Sequence, residues 1–276
     1  MQKNRRFDRL GRRMTEKTSE KISTTGAIAS PIDTMFKAGA HFAFGRSRRH
    51  PTVAPYIFGM KNKVEIFDLE KTQGLLAAAS TFVENMAKEG KQLLIVGGKS
   101  EARAAVKGAG EMLGMPFVDG RWIGGTLTNF GQIKKRVEKL ERLTSEREKG
   151  ELAKYTKKER LLIDREIANL DRFFSGIIPM KELPKVLFVV DPKKEYTAVK
   201  EAQDLGIPVI ALAGSDCDIS IIEYPIVGND ASKSSITFFV GEMVKAYEAG
   251  KVLAKAAAPA APKDASVSEG AVTPKL

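Results

Sequence analysis

The sequence predicts an α/β protein: a doubly wound parallel sheet, three layers deep, interrupted by a helical hairpin. Three observations carry that expectation. Short apolar runs alternate with segments of helical period, the alternation stops for one long and densely charged stretch, and it then resumes. With 276 residues and 43% hydrophobic content, the chain can bury one sizeable core, about 75% of the surface its unfolded form exposes.

Residues 1–30 hold eight Lys or Arg against three acids and no periodic apolar face, the pattern of a flexible basic arm. Ser30 before Pro31 signals a short helix carrying Ile32, Met35 and Phe36. Residues 64–67 then read as a strand, 69–88 as a helix ended by Gly90, and 92–96 as a buried strand. Residues 101–113 follow as a helix ended by Gly114, and 117–118 as a short strand. Past the interruption, 186–190 and 209–212 read as strands separated by a helix over 196–205, and 224–227 precedes a last helix over 232–249. Parallel strands with helices on both faces satisfy this order.

Within the interruption, Ile133, Val137 and Leu140 recur at helical spacing. Ile163, Ile167, Leu170 and Phe174 do so again after a turn marked by Gly150. Two antiparallel helices zipped along a narrow seam fit both runs, and their charged outer faces lead the hairpin to project from the core. The expected division is an arm over 1–30, a core over 31–125 and 177–250, a hairpin over 126–176, and a disordered Ala/Pro/Lys tail over 251–276.

Lys and Arg number 45 against 34 acids, a net charge of +11, which favours nucleic acid or an anionic surface as partner. No apolar run approaches the ~18 residues that span a bilayer, so no membrane partner is expected. Cys217 is the single cysteine, which rules out an intramolecular disulfide and suits a buried small hydrophobe in a reducing, cytoplasmic compartment.

The candidate contact residues come from three stretches. At residues 120–130, Gly120, Gly124 and Gly125 permit close backbone approach, while Arg121 and Trp122 offer charge and a stacking surface; Lys134, Lys135, Arg136, Lys139 and Arg142 follow as a basic ladder. For the hairpin tip, a solvated helix pair with offsetting ion pairs stands beside polyanion contact. At residues 40–50, Phe42 and Phe44 sit beside Arg46, Arg48 and Arg49, with Lys61 and Lys63 further on; the rings are expected inward and the arginines outward.

The third stretch, Gly97-Gly98-Lys99-Ser100, ends a strand and opens a helix, but the glycine that a phosphate loop needs five positions earlier is replaced by Leu93. What remains is Ser100 as N-cap with Lys99 nearby, together able to hold one backbone phosphate. Asp191, Pro192 and Glu195 lie at the carboxyl edge of a strand and read as helix-start residues, with Glu195 favouring the helix dipole. Asp216, Asp218 and Asp230 are too sparse for calcium, and two histidines cannot assemble a zinc set, so neither metal nor cofactor is expected.

Taken in register, several strings resemble the family of small-subunit ribosomal protein number two, of bacterial or organellar type. They include residues 38–42 (AGAHF), 55–59 (PYIFG), 68–72 (DLEKT), 120–130, 156–159 (TKKE), 187–195 (LFVVDPKKE), 205–209 (LGIPV), and 224–226 with 228–230. Coverage runs over about 31–251; Phe44, Arg49 and residues 175–180 depart from the family pattern. The resemblance implies a flavodoxin-like parallel sheet with an inserted antiparallel coiled-coil hairpin. It further implies a noncatalytic place in the small ribosomal subunit, with small-subunit ribosomal RNA and neighbouring ribosomal proteins as partners, among them the protein numbered one. No small-molecule substrate is implied, and localisation is ribosomal, in the cytoplasm or an organelle. The competing expectation is a nucleotide-dependent enzyme using the Lys99 turn and the Asp191 edge, which predicts loss of turnover when Lys99 becomes Ala.

Overall fold

In a computed structural model, residues 30–257 are described; the basic arm and the chain beyond 257 lie outside the described residues. The main sheet has five parallel strands: β3 (Leu93–Val96), β4 (Phe117–Val118), β5 (Val186–Val190), β6 (Val209–Ala213) and β7 (Tyr224–Val227). Their spatial order is β4-β3-β5-β6-β7. That order winds outward in both directions from β3 and β5, as in flavodoxin-like sheets, and leaves a crevice where the two directions part.

Strict alternation along the strands sorts their side chains to two faces. Leu93, Ile95, Phe188, Val190, Ile210, Leu212 and Ile226 pack with α2 (Leu69–Lys88), α3 (Ser100–Leu113) and α7 (Lys233–Ala257). Leu94, Val96, Leu187, Val189, Val209 and Ala211 face the other way, onto α6 (Tyr196–Asp204) and residues of the hairpin. Helix starts and stops follow local chemistry. The Asp68 carboxylate caps α2 by accepting from the backbone N–H groups of Glu70 and Lys71, and α3 ends at Gly114 with φ +64°.

The hairpin consists of α4 (Phe130–Glu148) and α5 (Lys157–Phe174), the latter opened by a capping box between Thr156 and Glu159. Of the expected seam, Ile133, Leu140, Ile167, Leu170 and Phe174 are buried and Val137 and Ile163 partly buried, and Leu143, which was not expected, joins them. The buried residues belong to one apolar cluster with Leu94, Val96 and Val189, so the seam is continuous with that face of the core.

Three expectations are corrected. Residues 64–67 form β2 (Val64–Phe67), which pairs antiparallel with β1 (Ile57–Lys61) in a separate two-stranded sheet rather than entering the parallel one. Asn62 and Lys63, at φ +51° and +65°, make the tight turn between them. Phe36, on the short helix α1 (Pro31–Lys37), is exposed, whereas Met35 is fully buried. The last helix runs past the expected tail boundary at 251 to Ala257, since residues 251–257 contain neither Gly nor Pro to stop it. Among the described residues, no helix is long and apolar enough to cross a membrane.

Candidate nucleic-acid interface

The loops leaving the carboxyl ends of β3 and β4 place Lys99, Arg121 and Trp122 at one edge of the sheet. Arg46, Arg48 and Arg49 lie on a segment tied to that edge through Ser215, with Lys61 and Lys63 on the β1–β2 turn beside it. Lys99 sits at the centre of the edge, and its role differs from the expectation. The ammonium bonds Asp191 Oδ2 at 2.6 Å and Asp230 Oδ2 at 2.5 Å, with the side chain only 15% exposed. Burial acts to lower its pKa, but the attraction of Asp230 and Asp191 outweighs burial and holds it above the ordinary lysine value. Lys99 is thus spent as the counter-ion of two internal carboxylates. Ser100 is the first residue of α3 rather than its cap, and its hydroxyl donates to Glu101. Asp191, Cys217 and Asp230 could together ligate a metal, but Lys99 already supplies the positive charge to both carboxylates. Cys217 is fully buried, and burial beside Asp191 and Asp230 pushes its thiol far up.

Gly98 is where three segments meet. A Cβ there would lie 2.6 Å from both the Gly120 carbonyl oxygen and Glu195 Oε1, so only glycine lets the chains cross. The Asp191 carboxylate accepts from Lys194 N–H and so serves the turn, as the helix-start reading expects. Glu195 does not: it turns away from α6 to accept the Gly98 N–H at 3.2 Å. Burial raises its pKa above the ordinary glutamate value.

Residues 120–130 are held from beneath by Glu201, a side chain the sequence did not single out. Its two oxygens accept from Trp122 Nε1–H (3.1 Å), the N–H groups of Gly125 (2.8 Å), Leu127 (3.0 Å) and Thr128 (3.3 Å), and the Thr128 hydroxyl. Burial alone would raise its pKa, but the donors, led by Trp122, hold it below the ordinary value. Trp122 is therefore buried, with 7% exposure, and is corrected from an exposed stacking ring to a wall of the loop. Only the pattern of an acidic residue on the inner face of an otherwise apolar helix turn, Ala198-Val199-Lys200-Glu201-Ala202, could have signalled the anchor.

The remaining cations fall into two groups. Arg46 and Arg48 are exposed on a 3-10 turn, Arg46–Arg48, with the Arg48 guanidinium 5.7 Å from the Phe44 ring centre. This turn adjoins the β1–β2 turn carrying exposed Lys61 and Lys63, since a Cβ on Gly45 would lie 3.1 Å from the Lys63 carbonyl oxygen. His50 N–H to Ser215 O, at 2.8 Å, ties the segment to the sheet edge. Arg49 is half-buried and paired with Glu65 at 3.0 Å, so it is the least available of the three arginines. Phe42 is 51% exposed, against the expectation of an inward ring, and Phe44 is half-buried. Phe58 and Met60, exposed on β1 beside Lys61, were not singled out from the sequence.

In the second group, Arg121, Lys134 and Lys135 are exposed near the hairpin root. Further along, Lys139 is paired with Glu166 and Arg142 with Glu146, so the ladder is partly neutralised away from the root. Between the crossing loops opens a cleft of about 680 Å³ lined by Gly98, Arg103, Arg121, Arg172, Lys194 and Glu195, together with the edge of Trp122. Arg103 and Arg172 had no signal in the sequence, because each sits among solvent-facing residues of a helix.

Comparison with known proteins places this geometry. A sequence profile described as Ribosomal protein S2 matches residues 35–250, spanning the sheet and hairpin together. The chain belongs to the ribosomal protein S2 family. It is 44% identical over 219 residues to the small ribosomal subunit protein uS2 of Sulfurimonas denitrificans, covering 79% of this chain and 85% of that protein. It is 42% identical to the like-named protein of Nitratiruptor sp., covering 79% and 82%, and 40% identical to that of Coprothermobacter proteolyticus, covering 79% and 81%. These relatives are named as ribosomal proteins and not as enzymes. The family identity thus agrees with the resemblance read from residues 31–251.

Proposed function

We propose that the chain is a noncatalytic constituent of the small ribosomal subunit that grips ribosomal RNA with the carboxyl edge of its sheet. The observation that supports this reading is the pair of cation groups near that edge that stand outside any salt bridge. Among the described residues, Arg46, Arg48, Lys61, Lys63, Arg121, Lys134 and Lys135 form no salt bridge, whereas Lys99 and Arg49 do. Exposed Phe58 and Phe42 beside them suit unstacked bases. The body over 31–125 and 177–250 carries the RNA face, and the hairpin 126–176 extends it from the root. Docking of the ribosomal protein numbered one rests on the family resemblance, and ribosomal localisation follows from the small-subunit role.

The test is binding of the purified chain to small-subunit ribosomal RNA as salt is raised, with the combined Arg46→Ala, Arg48→Ala, Lys61→Ala and Lys63→Ala variant beside it. The variant is expected to bind more weakly and with a shallower salt dependence, since each lost phosphate contact reduces the slope by about one. An unchanged slope removes that turn pair from the interface.

A further inference from the structure

The cleft at the crossover of β3 and β5 gathers four cations from four separate segments. Arg103 comes from α3, Arg121 from the loop after β4, Arg172 from the end of α5 and Lys194 from the turn after β5. None of the four forms a salt bridge among the described residues. Arg103 spends its Nε–H on the Asp119 carbonyl at 3.1 Å, and Arg172 lies against Phe173, which fixes both in direction. Like charges facing one cleft repel one another, and an anion bound between them relieves that repulsion.

The cavity wall supplies the opposite need. Glu195 is 5% exposed and lines the same cleft. Its Oε1 takes the Gly98 N–H, while its Oε2 receives no hydrogen bond from the described residues. That oxygen is not among the fully buried, unsatisfied polar atoms of the described residues, so it can meet a ligand O–H or N–H from the cleft. Four cations outside any salt bridge and one carboxylate oxygen without a hydrogen bond suit a ligand with a phosphate at one end and hydroxyl or N–H groups at the other. The cleft's 680 Å³ lies inside the range of about 300–1,000 Å³ typical of small-ligand sites, and it opens at the switch point where sheets of this winding bind nucleotides.

We propose that this cleft binds a single ribonucleotide, its phosphate against Arg121 and Arg172 and its ribose hydroxyls or base N–H groups on Glu195 Oε2. Binding alone is assigned. The ligand comes either from RNA, as one unstacked nucleotide, or from solution as a free nucleoside phosphate; the first source rests on the RNA-binding reading above, the second does not.

Calorimetric titration of the full chain with guanosine and adenosine 5′-monophosphates, their 2′-deoxy forms and inorganic phosphate tests it. Saturable binding of at least one ribonucleotide is expected, weakened about tenfold or more by Arg121→Ala with Arg172→Ala. Glu195→Gln keeps an oxygen for the Gly98 N–H and removes a buried charge, so a folded protein is expected. It should weaken nucleotide binding several-fold more than phosphate binding. No saturable nucleotide binding at millimolar concentration overturns the proposal, as does binding of nucleotide and phosphate weakened equally by Glu195→Gln. A ribosomal RNA fragment then identifies the source: competition with free nucleotide means the RNA supplies it, and simultaneous binding means the solution does. RNA affinity measured on the Arg46, Arg48, Lys61 and Lys63 variant keeps the two readings separate, because those residues do not line the cleft.

Discussion

Glu201 decides the shape of the loop that carries Arg121. Its carboxylate closes five hydrogen bonds, so removing it leaves the buried Trp122 and Leu127 N–H groups without their acceptor and frees the partly buried ones of Gly125 and Thr128. Glu201→Ala is expected to destabilise the fold by about 3–5 kcal/mol and Glu201→Gln by about 1.5–3 kcal/mol, measured by urea denaturation. The pH dependence has a definite sign. Because the folded carboxyl lies below its ordinary value, its stabilisation is present above the ordinary glutamate range and is lost as pH falls through the folded value. Glu201→Gln should therefore flatten the acid limb of the stability profile. At Lys99 the outcome runs the other way: Lys99→Met leaves Asp191 and Asp230 buried without a counter-ion, costing about 3–5 kcal/mol near neutral pH. Burial raises the Asp230 carboxyl above its ordinary value, so acidification that protonates it should recover part of that loss. A Lys99→Met protein as stable as the parent at neutral pH would show that the ion pair contributes nothing.

At the scale of elements, the hairpin seam is continuous with one apolar face of the sheet. Phe174 and Leu170 belong to the cluster that includes Leu94 and Val189, so a cavity in the seam is felt by the whole body. Phe174→Ala is expected to cost about 3–5 kcal/mol and Leu170→Ala about 2–5 kcal/mol, in one cooperative transition. A separate, earlier melting step confined to helical signal would instead show the hairpin to be an independent unit. The helices and strands themselves were legible because each carries its own period: β4, β5 and β7 begin and end where the apolar runs do, and α2 begins and ends where Asp68 and Gly90 mark it. β1 was not legible. Its residues Ile57, Phe58 and Met60 have no alternation that a core imposes, because the strand pairs only with β2 at the surface and leaves two of them exposed.

For the molecule as a whole, the net charge of +11 sets how strongly salt should act. If the cation groups at the root and at the turn pair engage about six to ten phosphates, affinity for ribosomal RNA should fall roughly 10³- to 10⁵-fold between ~50 and ~200 mM salt. Filter binding or fluorescence titration across that range measures it, and a flat response contradicts an ionic interface.

The amino-acid sequence by itself determined the order of elements, the inserted hairpin and the excess of positive charge, because periodicity, caps and composition are local properties of the chain. Tertiary structure alone decided which positive charges are free. Lys99 and Arg121 look alike in a one-dimensional reading, each following a strand and a glycine, yet the first meets Asp191 and Asp230 from strands far along the chain and the second meets solvent. Whether a cation is spent inside the protein or left for a partner depends on neighbours that only folding brings within a few ångströms.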